Sequence, residues 1–342
     1  MNARSIAVIG AGSWGTALAI QLARAGQRPV LWGREEDEPE KLAAERMNQR
    51  YLPGIPFPDG LAIEPSLDAA VTSRRDVLLV IPSHAFRGVL EQIRQFLDES
   101  SRLAWATKGF EQTTGKLPHQ VAREVLGGSM PLAVLSGPTF ATEVGKGLPT
   151  AMTVASTDPA FADELATRIS DESFRAYTSD DLIGVEVGGA VKNVLAIGAG
   201  LSDGLGFGAN TRIALISRGL VEMTRLGVAL GANAQTFMGL SGMGDLVLTC
   251  TDDQSRNRRM GLGLASGRST EEVARDIGQV VEGVYAARAV HQVARREEVE
   301  MPICEQVYRI LYAGETPEEA VRTLMRRSLK AEAELLFRPS DH

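Results

Sequence analysis

A doubly wound α/β sheet followed by an all-helical C-terminal portion is the fold class this 342-residue sequence predicts. Three observations predict it. First, the apolar run Ser5–Ile9 leads directly into Gly10-Ala11-Gly12-Ser13-Trp14-Gly15, and Thr16–Ala23 then reads as a helix ending before Gly26. This is strand, glycine turn and helix at G-x-G-x-x-G spacing, the opening of a Rossmann-type dinucleotide fold. Second, short apolar runs recur through residue 155, each ending in small polar residues, with amphipathic helices between several of them. Third, no convincing strand follows residue 180.

Each glycine of the turn has a physical role. Gly10 permits the tight turn, Gly12 lets a pyrophosphate approach the backbone, and Gly15 lets helix and strand pack closely. The free N–H groups and positive end of the helix attract phosphate. The alternative is a glycine turn that holds no ligand; the flanking strand and helix argue against it.

The second strand is read at Pro29–Trp32, about 20 residues beyond the turn, where a dinucleotide fold reads the adenosine ribose. An acidic residue there would bind a 2′-hydroxyl. The first charged residue is instead Arg34, which suits a 2′-phosphate, although Glu35 and Glu36 follow at once. NADP is therefore expected ahead of NAD, unless Arg34 is a solvated loop residue. Residues 35–62, rich in proline and glycine towards Pro58, read as a long connection covering a site edge. Further strands are expected at 76–81, 102–106, 132–135 and 151–155, with helices at 85–97 and 117–126. Apolar strands alternating with helices indicate a parallel sheet. Ligands bind at the carboxyl ends of such strands, where Lys108 and the turn 136–139 lie.

Beyond residue 180, a helix of small apolar residues is read over 184–199, then a glycine-rich break over 198–208 and a helix over 210–226. Helices are also expected at 271–277, 283–298, 303–313 and 317–337. The domain boundary falls at 188/189: residues 1–188 form the dinucleotide-binding domain and 189–342 a helical substrate-binding domain.

Composition narrows the functional class. Hydrophobic residues make up 44% and charged residues 23%, as in ordinary globular proteins. The net charge of −7 has no basic run to set against it, which argues against a nucleic-acid binder. No apolar run is read as approaching the roughly 18 residues of a membrane span. Cys250 and Cys304 lack any C-x-x-C spacing and are read as buried thiols in a reducing compartment. With the first strand starting so close to Met1, leaving no room for a signal peptide, these features imply a cytoplasmic protein.

Lys192 lies in a largely apolar helix beside Gly188, Gly189 and Ala196, whose small size would let another molecule come close. Its ammonium either faces a site, where it can protonate a forming alkoxide, or sits at a helix edge with its stem snorkelling to water. Ser255-Arg256-Asn257 offers arginine with small hydrogen-bonding side chains, as phosphate recognition requires; a solvated charged loop is the other reading. The four histidines, His84, His119, His291 and His342, have no metal-ligand spacing, so no metal site is expected. His84 is either a general acid at a strand end or the first turn of a helix.

Taken together, GAGSWGTALA (10–19), NQRYLPG (48–54), IPSHAF (81–86), ATKGFE (106–111), LSGPTFATEV (135–144), the stretch 189–219, GLSGMGDLVLTC (239–250) and SRNRRMG (255–261) resemble the bacterial-type NAD(P)-dependent glycerol-3-phosphate dehydrogenases over nearly the whole chain. The resemblance implies reversible reduction of dihydroxyacetone phosphate to sn-glycerol 3-phosphate, feeding phospholipid synthesis. It implies Lys192 as proton donor, with Lys108 near substrate and nicotinamide. Gly137, Thr139, Asp245, Ser255, Arg256 and Asn257 would line the substrate site. Ser13, Trp14, Arg34, Ala141, Arg256, Val280 and Glu282 would contact the cofactor alongside the glycine turn. Trp14 is a mild departure from the residues usual there. The sequence does not fix the oligomeric state; a homodimer through the helical domain is compatible with it. Two rivals stay open: a dehydrogenase of the same domain pair acting on a β-hydroxy acid, and a redox-sensing regulator that binds NAD(H) without turnover.

Overall fold

The computed structural model describes residues 6–72 and 74–328. It resolves into two compact units. Among the described residues, one contains those up to Lys108 together with Leu117–Leu182; the other contains Gly109–Lys116 and those from Ile183 onward.

The first unit is built on an eight-stranded sheet in the order β3-β2-β1-β4-β5-β6-β7-β8. In chain order its elements are β1 (Ile6–Ile9), α1 (Ser13–Arg24), β2 (Val30–Trp32), α2 (Pro39–Glu45), β3 (Ala62–Ile63), α3 (Leu67–Val71), β4 (Asp76–Leu79), α4 (Phe86–Ile93), β5 (Arg102–Trp105), α5 (Pro118–Leu126), β6 (Leu132–Ser136), α6 (Ala141–Lys146), β7 (Thr150–Ser156), α7 (Pro159–Ile169) and β8 (Phe174–Ser179). β1, β4 and β5 are buried at every residue, as expected of parallel strands covered on both faces. β1 pairs with β2 on one side and β4 on the other, both parallel. The chain moves outward to β3 and then crosses back to β4, so the switch point lies between β1 and β4.

The expected all-parallel sheet needs one correction. β7 runs antiparallel to β6, and β8 is parallel to β7. The cause lies in α6. Its six residues span about 9 Å, whereas the five-residue β6 spans about 17 Å. So short a helix does not return the chain to the start of a neighbouring strand, and the chain re-enters the sheet from the same edge. At the opposite edge, Asp76 and Arg102, which begin β4 and β5, stand in register. Arg102 donates from Nε to Asp76 at 2.6 Å and from Nη2 reaches Glu164 at 2.8 Å, while Arg168 also reaches Asp76. The buried carboxylate is thus paired twice.

The second unit is helical among its described residues: α8 (Leu182–Gly204, of which Leu182 groups with the first unit), α9 (Ala209–Ala229), α10 (Asp245–Thr251), α11 (Arg256–Ala265), α12 (Thr270–Ile277), α13 (Glu282–Arg296), α14 (Pro302–Tyr312) and α15 (Pro317–Met325). α8 does not break at Gly198, as the sequence reading expected; it continues through Gly198 and Gly200 to Gly204. The glycines are packing devices. A Cβ at Gly200 would collide with the carbonyl of Arg258, and one at Gly188 would lie 2.5 Å from the carbonyl of Ser241. The space beside Gly188 is therefore filled by the protein's own backbone rather than left for another molecule. α8 is also, by length and composition, apolar enough to cross a bilayer, contrary to expectation, but 94% of its most apolar window is buried inside the protein. The C-terminal helix expected over 317–337 is α15 up to Met325; its residues 329–337 lie outside the described residues.

Both cysteines are free and buried, as anticipated. Burial pushes the Cys250 thiol up to about 12, so it is an inert packing group. Glu222 of α9 accepts hydrogen bonds from the backbone N–H groups of Ile303 (2.7 Å) and Cys304 (3.1 Å), capping α14 from another helix. Burial outweighs these bonds and raises its pKa from 4.5 to about 7. A carboxyl raised on folding contributes stability that is fully present below pH 4.5 and lost as pH rises through about 7. Comparing the wild type with Glu222→Gln by chemical denaturation should therefore show a stability difference that shifts against the wild type across this window, by on the order of 3 kcal/mol. A pH-independent difference would contradict it.

Candidate functional site

In the first unit the glycine turn folds as the spacing predicts. Gly10 has φ 121°, a left-handed conformation that disfavours other residues, and a Cβ there would collide with the Val80 carbonyl beyond β4. A Cβ at Gly15 would collide with the carbonyl of Gly10 itself. Gly12 differs: its Cβ would meet no protein atom within 4 Å. Nothing in the protein demands glycine at position 12, but a pyrophosphate lying against the backbone does. Gly12 is also the N-cap of α1, whose first turn has no side-chain cap and no acidic residue. The N–H groups at the start of α1, at Ser13 and Trp14, therefore fit an anionic phosphate. Trp14 packs against the core of this unit.

The carboxyl ends of the parallel strands gather the other expected residues of this unit along one edge. Arg34 follows β2 and is exposed; its guanidinium meets Glu36 at 3.0 Å and Asp37 at 3.4 Å. The hydrogen bond with Asp37 raises its pKa. Lys108 follows β5, where the Thr107 hydroxyl donates to the Ile81 carbonyl at 2.8 Å and ties the ends of two strands together. Gly137 follows β6 with φ 157°, and a Cβ there would lie 2.8 Å from the Cα of Met152. The Thr139 hydroxyl donates to the Gly137 carbonyl at 3.2 Å, and Ala141 begins α6. His84 lies exposed on the turn leading into α4, the helix-start position rather than a pocket.

In the second unit Lys192 is buried, with 7% of its surface exposed. Its stem does not snorkel to water. The ammonium donates to Asp245 Oδ1 and, at 2.9 Å, to Thr249 Oγ1. Thr249 in turn donates to the Asp245 carbonyl at 2.6 Å. Asp245 owes its position to a π-helical turn, Leu240–Gly244, closed by the Gly244 N–H donating to the Gly239 carbonyl at 3.1 Å. Such wide turns frequently mark functional sites.

The neighbouring residue on α8 connects this pair to the 255–257 cluster. Asn257 Nδ2 donates to Asn193 Oδ1 at 2.8 Å, and Gly283 N–H donates to Asn257 Oδ1 at 2.9 Å. One buried amide thus joins α8, the start of α11 and the start of α13. Ser255 is the N-cap of α11, its hydroxyl accepting from Arg258 N–H at 3.2 Å. Arg256 Nη1 donates to Gln279 Oε1 at 3.2 Å. Burial lowers the Arg256 pKa while the charge of Glu282 opposes the shift. Arg256 is thereby tied to Gln279, the residue before Val280, and lies within the field of Glu282. In the segment 251–259, Thr251, Asp253, Gln254 and Arg259 are exposed, whereas Ser255, Asn257 and Arg258 at the start of α11 are buried.

Sequence reasoning missed Thr249, Asn193, Gln279 and, in the first unit, Asn48. Thr249 was visible only as the residue four beyond Asp245, the spacing that puts two side chains on one helix face.

Comparison with known proteins agrees with the resemblance. The family model described as NAD-dependent glycerol-3-phosphate dehydrogenase N-terminus matches residues 5–162, and its C-terminus counterpart matches residues 181–322. A glycerol-3-phosphate dehydrogenase [NAD(P)+] from Actinobacillus pleuropneumoniae is 54% identical over 97% of this chain and 99% of its own length. One from Pseudoalteromonas translucida is 56% identical over 96% of this chain and 98% of its own. A crystal structure of glycerol-3-phosphate dehydrogenase from Coxiella burnetii superposes with a TM-score of 0.92 at 48% identity, covering 95% of this chain and 99% of that one.

The geometry of the turn separates its glycines by experiment. Gly15→Ala, which forces a Cβ onto the Gly10 carbonyl, should destabilise the protein by about 2 kcal/mol or more. A Gly12→Ala variant should melt within a degree or two of the wild type while losing cofactor affinity. Thermal melts and NADPH fluorescence titrations check both; equal stability losses at the two positions would contradict the assignment.

Proposed function

The chain belongs to the NAD-dependent glycerol-3-phosphate dehydrogenase family, and from that membership we infer that it catalyses the reversible, NAD(P)H-dependent reduction of dihydroxyacetone phosphate to sn-glycerol 3-phosphate, supplying glycerophospholipid synthesis. The observation that carries the residue-level reading is the buried Lys192 ammonium, held by Asp245 and Thr249 one residue away from the amide that orients the start of α11.

The substrate phosphate is assigned to that helix start, where backbone N–H groups, the Ser255 hydroxyl, the Arg256 guanidinium and Asn257 supply donors. Asn257 spends its oxygen on Gly283 and one direction of its amide on Asn193, so much of its contribution is positional. Lys192 protonates the ketone oxygen as the carbonyl carbon is reduced, and accepts that proton in the reverse direction. Asp245 and Thr249 fix the direction of the ammonium. Lys108, Gly137 and Thr139 are assigned to the substrate as well, with Lys108 also near the nicotinamide. The residues that would hold the dinucleotide are Gly10, Gly12, Ser13, Trp14, Gly15, Arg34 and Ala141, together with Arg256, Val280 and Glu282; the cofactor supplies the hydride when bound. Arg34 favours NADP, since its exposed ion pairs with Glu36 and Asp37 are individually weak and a ribose phosphate can replace them. The Rossmann-type domain is assigned residues 1–188 and the helical domain residues 189–342. A homodimer in the cytoplasm is the assembly and location that complete the proposal, with sedimentation analysis as its check.

Steady-state assays with dihydroxyacetone phosphate and NADPH or NADH test the reaction. Failure to oxidise either cofactor, with turnover of a keto acid instead, would select the rival dehydrogenase. Lys192→Ala should lower kcat by about 10²- to 10⁴-fold with cofactor affinity retained; full activity would remove Lys192 from proton transfer. Arg34→Ala should move the ratio of kcat/KM values for NADPH and NADH towards NADH, and an unchanged ratio would leave Arg34 without that role.

A further inference from the structure

The turn that would hold the pyrophosphate is itself held by a residue far from it in sequence. Asn48 follows α2 in the loop before β3 and is 1% exposed. Its Nδ2 donates to the Ala11 carbonyl at 2.9 Å and to Thr16 Oγ1 at 2.9 Å. Its Oδ1 accepts from the Tyr51 N–H at 3.1 Å, and its own carbonyl accepts from Leu52 N–H at 2.9 Å. Every polar atom of this side chain is engaged. The loop behind it is rigidly tied: Met47 bridges to Pro56, and the Arg46 guanidinium donates to the carbonyls of Leu61 at 2.7 Å and Pro58 at 2.6 Å.

The consequence follows from the peptide plane. The Ala11 carbonyl and the Gly12 N–H belong to one trans peptide unit and point in opposite directions. Fixing the oxygen on Asn48 therefore fixes the direction of the Gly12 N–H. On the opposite side of the turn, a Cβ at Gly33 would lie 2.7 Å from the Ala11 Cβ, so the tip of β2 closes against Ala11. Of the three glycines of the turn, Gly12 alone has no protein atom within 4 Å of its Cβ position.

We propose that Asn48 is a positioning residue for the dinucleotide pyrophosphate: its amide holds the Ala11 carbonyl so that the Gly12 N–H is aimed in advance at a phosphate oxygen. It does not touch the cofactor; it acts through the Ala11–Gly12 peptide. The proposal rests on the assignment of the glycine turn to the cofactor. It makes a prediction distinct from that for Arg34. Arg34 discriminates between NADPH and NADH, whereas Asn48 acts on the pyrophosphate they share, so both affinities fall by one factor.

The test is a set of fluorescence and calorimetric titrations on the full chain with NADPH, NADH and adenosine 2′-monophosphate, which lacks a pyrophosphate. Asn48→Ala should weaken NADPH and NADH equally, by about tenfold. Adenosine 2′-monophosphate affinity and the KM for dihydroxyacetone phosphate should stay within about twofold of wild type. Asn48→Asp keeps the volume and the acceptor for Tyr51 but loses the donor, and should show the same pattern if Asn48→Ala does not fold. Unchanged NADPH affinity in a folded Asn48 variant, with Gly12→Ala weakening it, would overturn the proposal and leave the glycine turn as the cofactor site. Equal losses for adenosine 2′-monophosphate would also overturn it, since they indicate a general structural role. Unchanged affinity in both Asn48 and Gly12 variants would overturn the assignment of the turn itself.

Discussion

A charged ammonium in the middle of an apolar helix is the constraint on which the second unit depends. α8 is buried from residue 184 to 202, and Lys192 lies within that stretch. Burying an isolated charge is far too costly to persist, so a carboxylate has to be brought to it. Asp245 meets that demand only because the chain before it takes a wide π-helical turn. That turn in turn fits only because two glycines lack side chains: Gly188 on α8, against Ser241, and Gly242, against Phe237. These features together bring the Asp245 carboxylate to the ammonium. The next residue, Asn193, repeats the logic with neutral groups, drawing Asn257 and through it Gly283 to the same level of α8. Two adjacent residues on one helix therefore set the positions of α10, α11 and α13.

The first unit solves a different problem, that of presenting backbone donors to an anion without letting the backbone move. Gly10, Gly15 and Gly33 are required by protein atoms that crowd them, whereas Gly12 is crowded by none. Close packing around three glycines is what leaves the fourth both rigid and open. A rigid donor loses little freedom when a ligand arrives, which is the physical content of preorganisation.

Much of this was legible in the sequence because local pattern and tertiary role coincide. The strand–turn–helix at 6–24 and the apolar strands β4, β5 and β6 announce themselves by composition. What was not legible depended on contacts between distant segments. β8, Phe174–Ser179, is largely exposed along its outer residues and lacks an apolar run, so it exists by pairing with β7 rather than by its own pattern. The glycines of α8 read as a break, yet they are the price of close helix packing. The reversal of β7 follows from the length of α6, which composition does not reveal. Among site residues, Lys192 stood out as a charge in an apolar helix, Arg256 as an arginine among small hydrogen-bonding residues, and Asp245 through the resemblance alone. Thr249, Asn193 and Asn48 are small polar residues of ordinary appearance, and only hydrogen bonds spanning tens of residues disclose them.

The same contacts bear on why a phosphate, rather than a carboxylate, suits the proposed substrate site. A planar carboxylate is satisfied by one bidentate guanidinium. The start of α11 is built otherwise. Ser255 spends its oxygen as an acceptor at the cap, which leaves the hydroxyl proton as its contribution to a ligand. Arg256 is partly committed to Gln279, and Asn257 to Asn193 and Gly283. Arg256 has one of its five N–H groups on Gln279, which leaves the others for a ligand. With Ser255 and Asn257 it forms a set of donors from several directions, supplemented by the positive end of a ten-residue helix. A tetrahedral anion with three exposed oxygens can use donors so arranged, and a planar one with two oxygens uses fewer of them. Donors so arranged suit the phosphate ester of the proposed substrate.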